Sequence, residues 1–195
     1  MPRLQPRPRN ELADFEPLLA GAERAMGFVP NSMLTMGHRP ELLHGFAALA
    51  GAVLGPGTVD GGLKQLIAYV GSRVTGCAYC QAHTAHSAEH RGVSDARIGA
   101  ACDFDNSALF TAAERSALRV AARAAEVPNA VTDADMADLN AHFSPPQVVE
   151  IVGVIALFGF LNRWNDTLAT TLEAPASQFA GAHLAALGWQ PGKHA

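Results

Sequence analysis

Two cysteines three residues apart form the part of this chain best suited to chemistry. Cys77 and Cys80 open the stretch CAYCQAHTAHSAEH, which has no Gly or Pro before Gly92. This composition predicts a helix whose first turn brings the two sulfurs within bonding range. Unpaired N–H groups and the positive end of the helix dipole favour a thiolate at Cys77. The spacing therefore predicts a thiol pair that cycles between dithiol and disulfide.

The histidines that follow are candidates for acid–base work. His83 lies about 60° around the helix from Cys80, so its imidazole can reach the sulfur, and it is the candidate base. His86 and His90 diverge further; His86 is kept as a supporting residue, although a solvated or packing histidine is the simpler interpretation. For His83 the alternative is a solvated or capping side chain without a catalytic role.

Three other interpretations of the CxxC stay open: a zinc site, a permanent structural disulfide and two inert buried thiols. Cys77, Cys80, His83 and His86 form a C-x2-C-x2-H-x2-H string. On a helix each step of three falls about 60° short of a turn, so the first and last members point to nearly opposite sides. No second CxxC follows, and we expect no metal and no cofactor. A bridge within one turn would constrain the unfolded chain little, and free cysteine is among the most buried residue types.

Composition restricts the class of protein. The 195 residues are 49% hydrophobic and 16% charged, with a net charge of −4 and no basic run, which argues against a nucleic-acid partner. Three cysteines do not make a secreted disulfide framework, so we expect a cytoplasmic protein and a buried or half-buried Cys102. The N-terminus has no apolar leader, and the apolar stretch from Val148 is short and carries Glu150, so we expect a core or interface helix and no membrane partner. Polar residues 162–166 then form either a partly exposed helix end or part of the thiol pocket or subunit contact.

Caps and breakers divide the chain into helices, with no strand of period two. Residues 1–9 form a Pro/Arg-rich arm that we expect to be flexible, and 10–195 form a single helical domain. The expected helices run over 10–26, 40–54, from Thr58 or Asp60 to 73, 78–91, 94–102, from Thr111 with Glu114 in a capping box, from Thr132, from Ser144 to about 170, and 176–187.

Several stretches of the chain resemble one family. GCAYCQAHTAHSAEHRGVS with the preceding LKQLIAYVGSRVT is similar to the core of the carboxymuconolactone decarboxylase family, in its alkylhydroperoxidase D-like (AhpD-like), peroxidase-related branch. GFVPNSMLTMGHRPELLHGFAAL and FGFLNRWNDTLAT resemble its lead-in and its late helix. The resemblance implies an all-α AhpD-like bundle of about eight helices, with the CxxC at the N-terminus of a central helix. It also implies a homo-oligomer, whether dimer, trimer or hexamer.

The resemblance further implies that Cys80 attacks a peroxide, that Cys77 resolves the sulfenic acid, and that a histidine and an upstream glutamate relay the proton. This chain departs from that pattern twice. The family's histidine position is occupied by Thr84, so that His83 stands one residue early, and the glutamate position is occupied by Gln65. A glutamine cannot accept a proton at neutral pH, so the relay does not carry over intact.

Tyr79, between the cysteines, offers an O–H in the same turn, although an aromatic ring there also suits packing. The predicted function is a thiol-dependent peroxidase that takes a small hydroperoxide and is restored by a dithiol or protein reductant. The alternatives are a carboxymuconolactone decarboxylase-like lyase, which would not need the thiols, and a non-catalytic redox sensor, which would show a reversible disulfide without turnover.

Overall fold

A computed structural model describes all 195 residues and confirms the all-α class. Its ten α-helices are α1 (Glu16–Met26), α2 (Asn31–Met36), α3 (Pro40–Leu54), α4 (Gly61–Thr75), α5 (Ala78–His90), α6 (Asp95–Ala100), α7 (Ala112–Ala124), α8 (Asp133–His142), α9 (Pro145–Leu168) and α10 (Ala174–His183). Short 3-10 helices cover Arg9–Phe15, Ala101–Asp103, Ala185–Leu187 and Gly192–His194, and there is no strand. The bundle thus has more helices than the eight or so expected.

Capping residues explain the starts of four helices. The side chain of Asp60 accepts the N–H of Leu63 at the start of α4, and Ser94 caps α6 in the same way. Thr111 and Thr132 each form the reciprocal capping box at α7 and α8. These four helix starts were predicted from the same residues, because the caps satisfy N–H groups that the helix itself cannot.

The two terminal helices were predicted less well. A 3-10 helix occupies Arg9–Phe15 and α1 begins only at Glu16, so Asn10 is not its cap. Pro17, which lacks an N–H, fits the first turn of α1. At the other end α10 covers Ala174–His183, with a 3-10 turn after it, in place of one helix over 176–187.

The N-terminal arm is hydrogen-bonded to the helical body. The backbone N–H of Arg3 donates to the carbonyl of Leu168 at 2.8 Å, and the Arg7 guanidinium donates to the carbonyl of Gly37 at 3.1 Å. The flexibility of residues 1–9 stays a prediction, as does the single domain over 10–195. One connected hydrophobic core of 41 buried residues supports the latter.

The antiparallel pair α4 and α5 lies at the centre of the bundle and carries the CxxC. Residues 62–72 of α4 are all buried, as is most of α5. Gly76 reverses the chain between them with φ +76°, a left-handed conformation that glycine adopts without strain. This tight turn places Cys77 at the N-cap of α5, beside the C-terminal end of α4.

The helix α9 is longer than the apolar stretch in the sequence indicates. It has 24 residues and, by length and composition alone, could cross a membrane, so the length argument against a span was wrong. Ile151, Val154 and Leu157 are buried against the rest of the bundle. Glu150 forms a 2.8 Å ion pair with the buried Lys64 of α4. These contacts favour the interpretation as a core helix.

Candidate active site

The two motif sulfurs are neighbours at the start of α5. Cys77 is the N-cap residue, and the backbone N–H of Cys80 donates to its Sγ at 3.5 Å. The side chains are free thiols, only 1% and 2% exposed. The third cysteine, Cys102, is exposed, so the expectation of a buried or half-buried thiol there was wrong.

The sulfurs differ strongly in acidity. A hydrogen bond from the Cys80 thiol lowers the pKa of Cys77 to about 5, against the opposing effect of burial, and His194 adds to the lowering. Burial raises the pKa of Cys80 well above its usual value, and the Cys77 sulfur beside it raises it further. In the reduced pair the negative charge is therefore favoured at Cys77 over Cys80.

A largely apolar cavity of about 430 Å³ lies against Cys80. Its 24 lining residues come chiefly from α1, α2, α3, α5 and α9, and 13 of them are hydrophobic. Cys80, His83 and Asn165 lie in its wall, whereas Cys77 is not among the lining residues. A molecule in the cavity therefore meets Cys80 first, with Cys77 behind it.

His83 is held by a carboxylate that sequence reasoning missed. Its Nε2 lies 2.5 Å from Oε2 of Glu173, the N-cap residue of α10. The Tyr79 hydroxyl donates to Oε1 of the same carboxylate at 2.8 Å, and the backbone N–H of Asn31 donates to it at 2.5 Å. The Tyr79 and His83 rings stack with centroids 4.1 Å apart, and Phe28 meets the His83 ring edge-on at 5.1 Å. The lead-in residues Phe28 and Asn31 thus help to position His83.

The donors fix the protonation states within this network. Although burial alone would raise the pKa of Glu173, His83 and the N–H of Asn31 hold it below its usual value. Burial raises the pKa of Tyr79 well above 10, so its O–H stays a donor. A carboxylate only accepts, so the Nε2 of His83 carries a proton. In neutral His83 the lone pair is then on Nδ1, which is the arrangement of a carboxylate-oriented general base.

The remaining predicted residues fall into two groups. Gln65 and Thr84 line the cavity. The Thr84 hydroxyl donates to the Cys80 carbonyl at 2.7 Å, a bond within α5. His86 does not line the cavity: it is buried among Phe28, Phe179 and His90, and burial lowers its pKa. His86 therefore belongs to the packing around the site.

Three further polar side chains lie near the sulfurs and come from distant parts of the chain. The Asn165 amide of α9 donates to the Cys80 Sγ at 3.5 Å. Around Cys77, its Sγ, a carboxylate oxygen of Asp166 and a ring nitrogen of His194 lie within 4.8 Å of one another. The polar segment 162–166 indicated a pocket role for Asn165, but no pattern in the sequence pointed to His194.

An all-α bundle with a buried thiol pair, one sulfur of which lies on a cavity wall together with a carboxylate-held histidine, defines a class of helical thiol proteins. Residues 40–123 match the model of the carboxymuconolactone decarboxylase family. The debrominase Bmp8, in the structure of its cysteine-to-alanine variant with 2,3,4-tribromopyrrole, is 31% identical in sequence to this chain. The alignment covers 92% of this chain and 96% of that one, with a TM-score of 0.87.

A peroxidase-related protein with an alkylhydroperoxidase AhpD core, from Ralstonia eutropha JMP134, shares the fold at 23% identity, over 86% of this chain and 88% of that one, with a TM-score of 0.75. The uncharacterized protein YnjA of Escherichia coli K12 is 32% identical over 92 residues, which is 47% of this chain and 50% of YnjA. The match thus spans about half the length of that curated relative. The chain belongs to the carboxymuconolactone decarboxylase family, with an AhpD-like fold.

Proposed function

We propose that this protein is a thiol-dependent oxidoreductase, in which Cys80 attacks a small, largely apolar substrate and Cys77 completes a disulfide. The observation that carries the proposal is the placement of Cys80 on the cavity wall, with a sulfur of low pKa as its hydrogen-bond partner. A dithiol placed in this way supplies two electrons to the substrate and is oxidised to a disulfide. The first candidate reaction is the reduction of an organic hydroperoxide.

The first step needs a thiolate at Cys80, although its resting pKa is raised. Cys77, as the stronger acid of the pair, is negatively charged and accepts the Cys80 proton when the substrate binds. The Cys80 sulfur then attacks the terminal peroxide oxygen: an S–O bond forms, the O–O bond breaks, and the leaving alkoxide takes a proton from protonated His83. Cys80 becomes a sulfenic acid and the substrate leaves as an alcohol.

The second step closes the disulfide. Cys77 loses its proton again and attacks the sulfenic sulfur, so that an S–S bond forms, the S–O bond breaks and hydroxide leaves as water. Both cysteines are oxidised by one electron each. An external dithiol or protein reductant then restores the pair, and we propose that a reducing cytoplasm supplies it.

Glu173 supplies the carboxylate that the relay lacks at position 65. Gln65 stands where the resembled family has a glutamate, but Glu173 brings a carboxylate to His83 from α10. The carboxylate orients the ring and stabilises its protonated form. Gln65 is neutral and cannot supply that charge. The His83–Glu173 pair thus gives the site a proton relay of different origin.

The second candidate reaction is reductive dehalogenation of a small aromatic ring. Two observations favour it: the 31% identity to the debrominase Bmp8 over 92% of this chain, and the apolar cavity. The Cys80 thiolate would attack the halogen, forming S–Br while the C–Br electron pair passes to carbon, which takes a proton from His83. Cys77 would then attack the Cys80 sulfur, forming S–S and releasing bromide. Both reactions use the same residues and the same two electrons.

A thiol count with two substrates tests the proposal. In a Cys102→Ser background, which leaves only the motif pair, a stoichiometric amount of cumene hydroperoxide or 2,3,4-tribromopyrrole should remove two thiols per chain. Added Cys80→Ser should abolish this loss. With the hydroperoxide, added Cys77→Ser should slow the loss of the Cys80 thiol, since Cys77 no longer accepts its proton, and should leave a sulfenic acid that dimedone traps. Loss with one substrate only selects between the reactions, and absence of loss with both refutes the proposed function.

A further inference from the structure

We propose that His194 is the acid–base partner of Cys77, so that the site uses one histidine for each sulfur. The role in disulfide closure rests on the proposed function, whereas the pairing of His194 with Cys77 does not. His194 is only 1% exposed, and it reaches the sulfur from the C-terminal 3-10 turn Gly192–His194.

Hydrogen bonding fixes the orientation of the His194 ring. Its Nδ1 lies 2.8 Å from the carbonyl oxygen of Thr170, which can only accept, so Nδ1 carries a proton. The backbone N–H of Leu172 donates to the His194 carbonyl at 2.9 Å and ties the turn to the body. The other ring nitrogen, Nε2, therefore faces Cys77 and Asp166 as a lone pair or as a second N–H.

The charges around the ring favour the second N–H. Nε2 lies 3.5 Å from Oδ1 of Asp166, whose Oδ2 is paired with Lys193 at 2.7 Å, and the Tyr79 ring is 5.9 Å away. Burial alone would lower the pKa of His194, but the nearby Cys77 sulfur and the hydrogen bond to the Thr170 carbonyl raise it on balance. A buried imidazolium beside a thiolate satisfies both groups, since each would be costly to bury alone.

The pairing with Cys77 gives His194 a role in the second step of the reaction, the closure of the disulfide. Once Cys77 has accepted the proton of Cys80, its negative charge is gone, and the imidazolium of His194 releases a proton to solvent. Nε2 of the neutral ring then takes the proton of Cys77 and regenerates the thiolate. When Cys77 bonds to Cys80, the thiolate charge is consumed and the imidazolium loses its partner. His194 then releases its proton, which balances the hydroxide that leaves as water. His83, held by Glu173 at the cavity, handles the substrate proton instead.

A titration of Cys77 alone tests the pairing. In a Cys80→Ser, Cys102→Ser background, the ultraviolet absorbance of the thiolate reports only Cys77, and a chelator removes any contribution of bound metal. His194→Ala should raise the Cys77 pKa by about one to three units, the usual effect of losing a close opposite charge. His194→Gln, which keeps a donor without the charge, should raise it by less. His183→Ala is the matched control, because His183 pairs with exposed Asp95 away from the sulfurs and should leave the Cys77 pKa unchanged.

A second measurement separates this inference from the proposed function. With both motif cysteines present, His194→Ala should slow disulfide closure, so that dimedone traps more Cys80 sulfenic acid while the first thiol is lost at the normal rate. An unchanged Cys77 pKa in both His194 variants, with native circular dichroism, overturns the pairing. A shifted pKa without any thiol loss leaves the pairing standing and rejects the peroxidase.

Discussion

Replacing Glu173 by glutamine distinguishes its role in orienting His83 from its contribution to the free energy of unfolding. In the native protein the carboxylate accepts from Asn31, from Tyr79 and from Nε2 of His83. In Glu173→Gln the amide oxygen can keep the bonds from Asn31 and Tyr79, while the NH₂ group turns toward His83. The imidazole can satisfy that group by moving its own proton to Nδ1 and accepting at Nε2. The ring then lacks the charged acceptor that orients it as the proton donor to the leaving alkoxide.

The expected magnitudes differ for folding and for turnover. All three charge-assisted hydrogen bonds become neutral ones, which costs about 1 kcal/mol each, so Glu173→Gln should lower the free energy of unfolding by about 3 kcal/mol. Loss of the oriented proton donor should lower turnover by a factor of about 10² to 10⁴. Glu173→Ala leaves three donors without a partner and should cost about 3–5 kcal/mol.

Urea unfolding and hydroperoxide-driven thiol oxidation measure the two effects. Because the pKa of Glu173 is lowered in the folded protein, its contribution to stability is present above the ordinary carboxyl pKa near 4.5 and is lost as the pH falls through the lowered value. This acid-side loss should vanish in Glu173→Gln. Tyr79→Phe is the control, since it removes one bond to the carboxylate and leaves the His83 pair. Native turnover in folded Glu173→Gln would refute the relay.

Three further predictions concern the surroundings of the site. Asn165→Ala removes the donor that lowers the pKa of Cys80, so rapid-mixing experiments should show the first thiol loss slowed about 2- to 10-fold, and an equal rate would contradict the contact. Glu150→Gln breaks the ion pair with buried Lys64 and should cost about 3–5 kcal/mol in urea unfolding. The Lys64 contact lowers the pKa of Glu150 to about 2, so native stability should fall between about pH 4.5 and 2, a loss absent from the variant. Val152 of α9 is 44% exposed, so Val152→Asp should keep the helical circular dichroism. It should dissociate the homo-oligomer that the family resemblance implies, as measured by light scattering, and an unchanged mass would place the interface elsewhere.

Local signals in the sequence predicted the parts of the site that lie within one helix. The CxxC spacing, the Gly and capping residues around it and the following histidine all act over a few residues, and α5 begins and ends within a residue of the prediction. The short α2 was not predicted, because six residues are too few to show a helical period. The assignment of the base to His83 agrees with its place on the cavity wall, and its catalytic role stays a prediction.

The partners that set the chemistry of these residues come from the far end of the chain. Glu173 reaches His83 across 90 positions, and His194 approaches Cys77 from the last turn. These contacts form only when α10 and the C-terminal turn pack against α5. No hydrophobic period in the sequence predicts them. Glu173 precedes Ala-Pro at a helix start, a signal for a helix boundary that does not distinguish a cap from a catalytic carboxylate.

The cavity wall combines segments inside and outside the part of the chain that matches the family model. The thiols and His83 belong to the stretch 40–123 that the family model matches, while 10 of the 24 residues that line the cavity come from α1, α2 and α9, outside it. The sulfurs and much of the wall that a substrate would contact are thus encoded on separate stretches of sequence. Evolution can reshape the outer segments for a new guest molecule without touching the sulfurs. Relatives that share the motif therefore need not share a substrate.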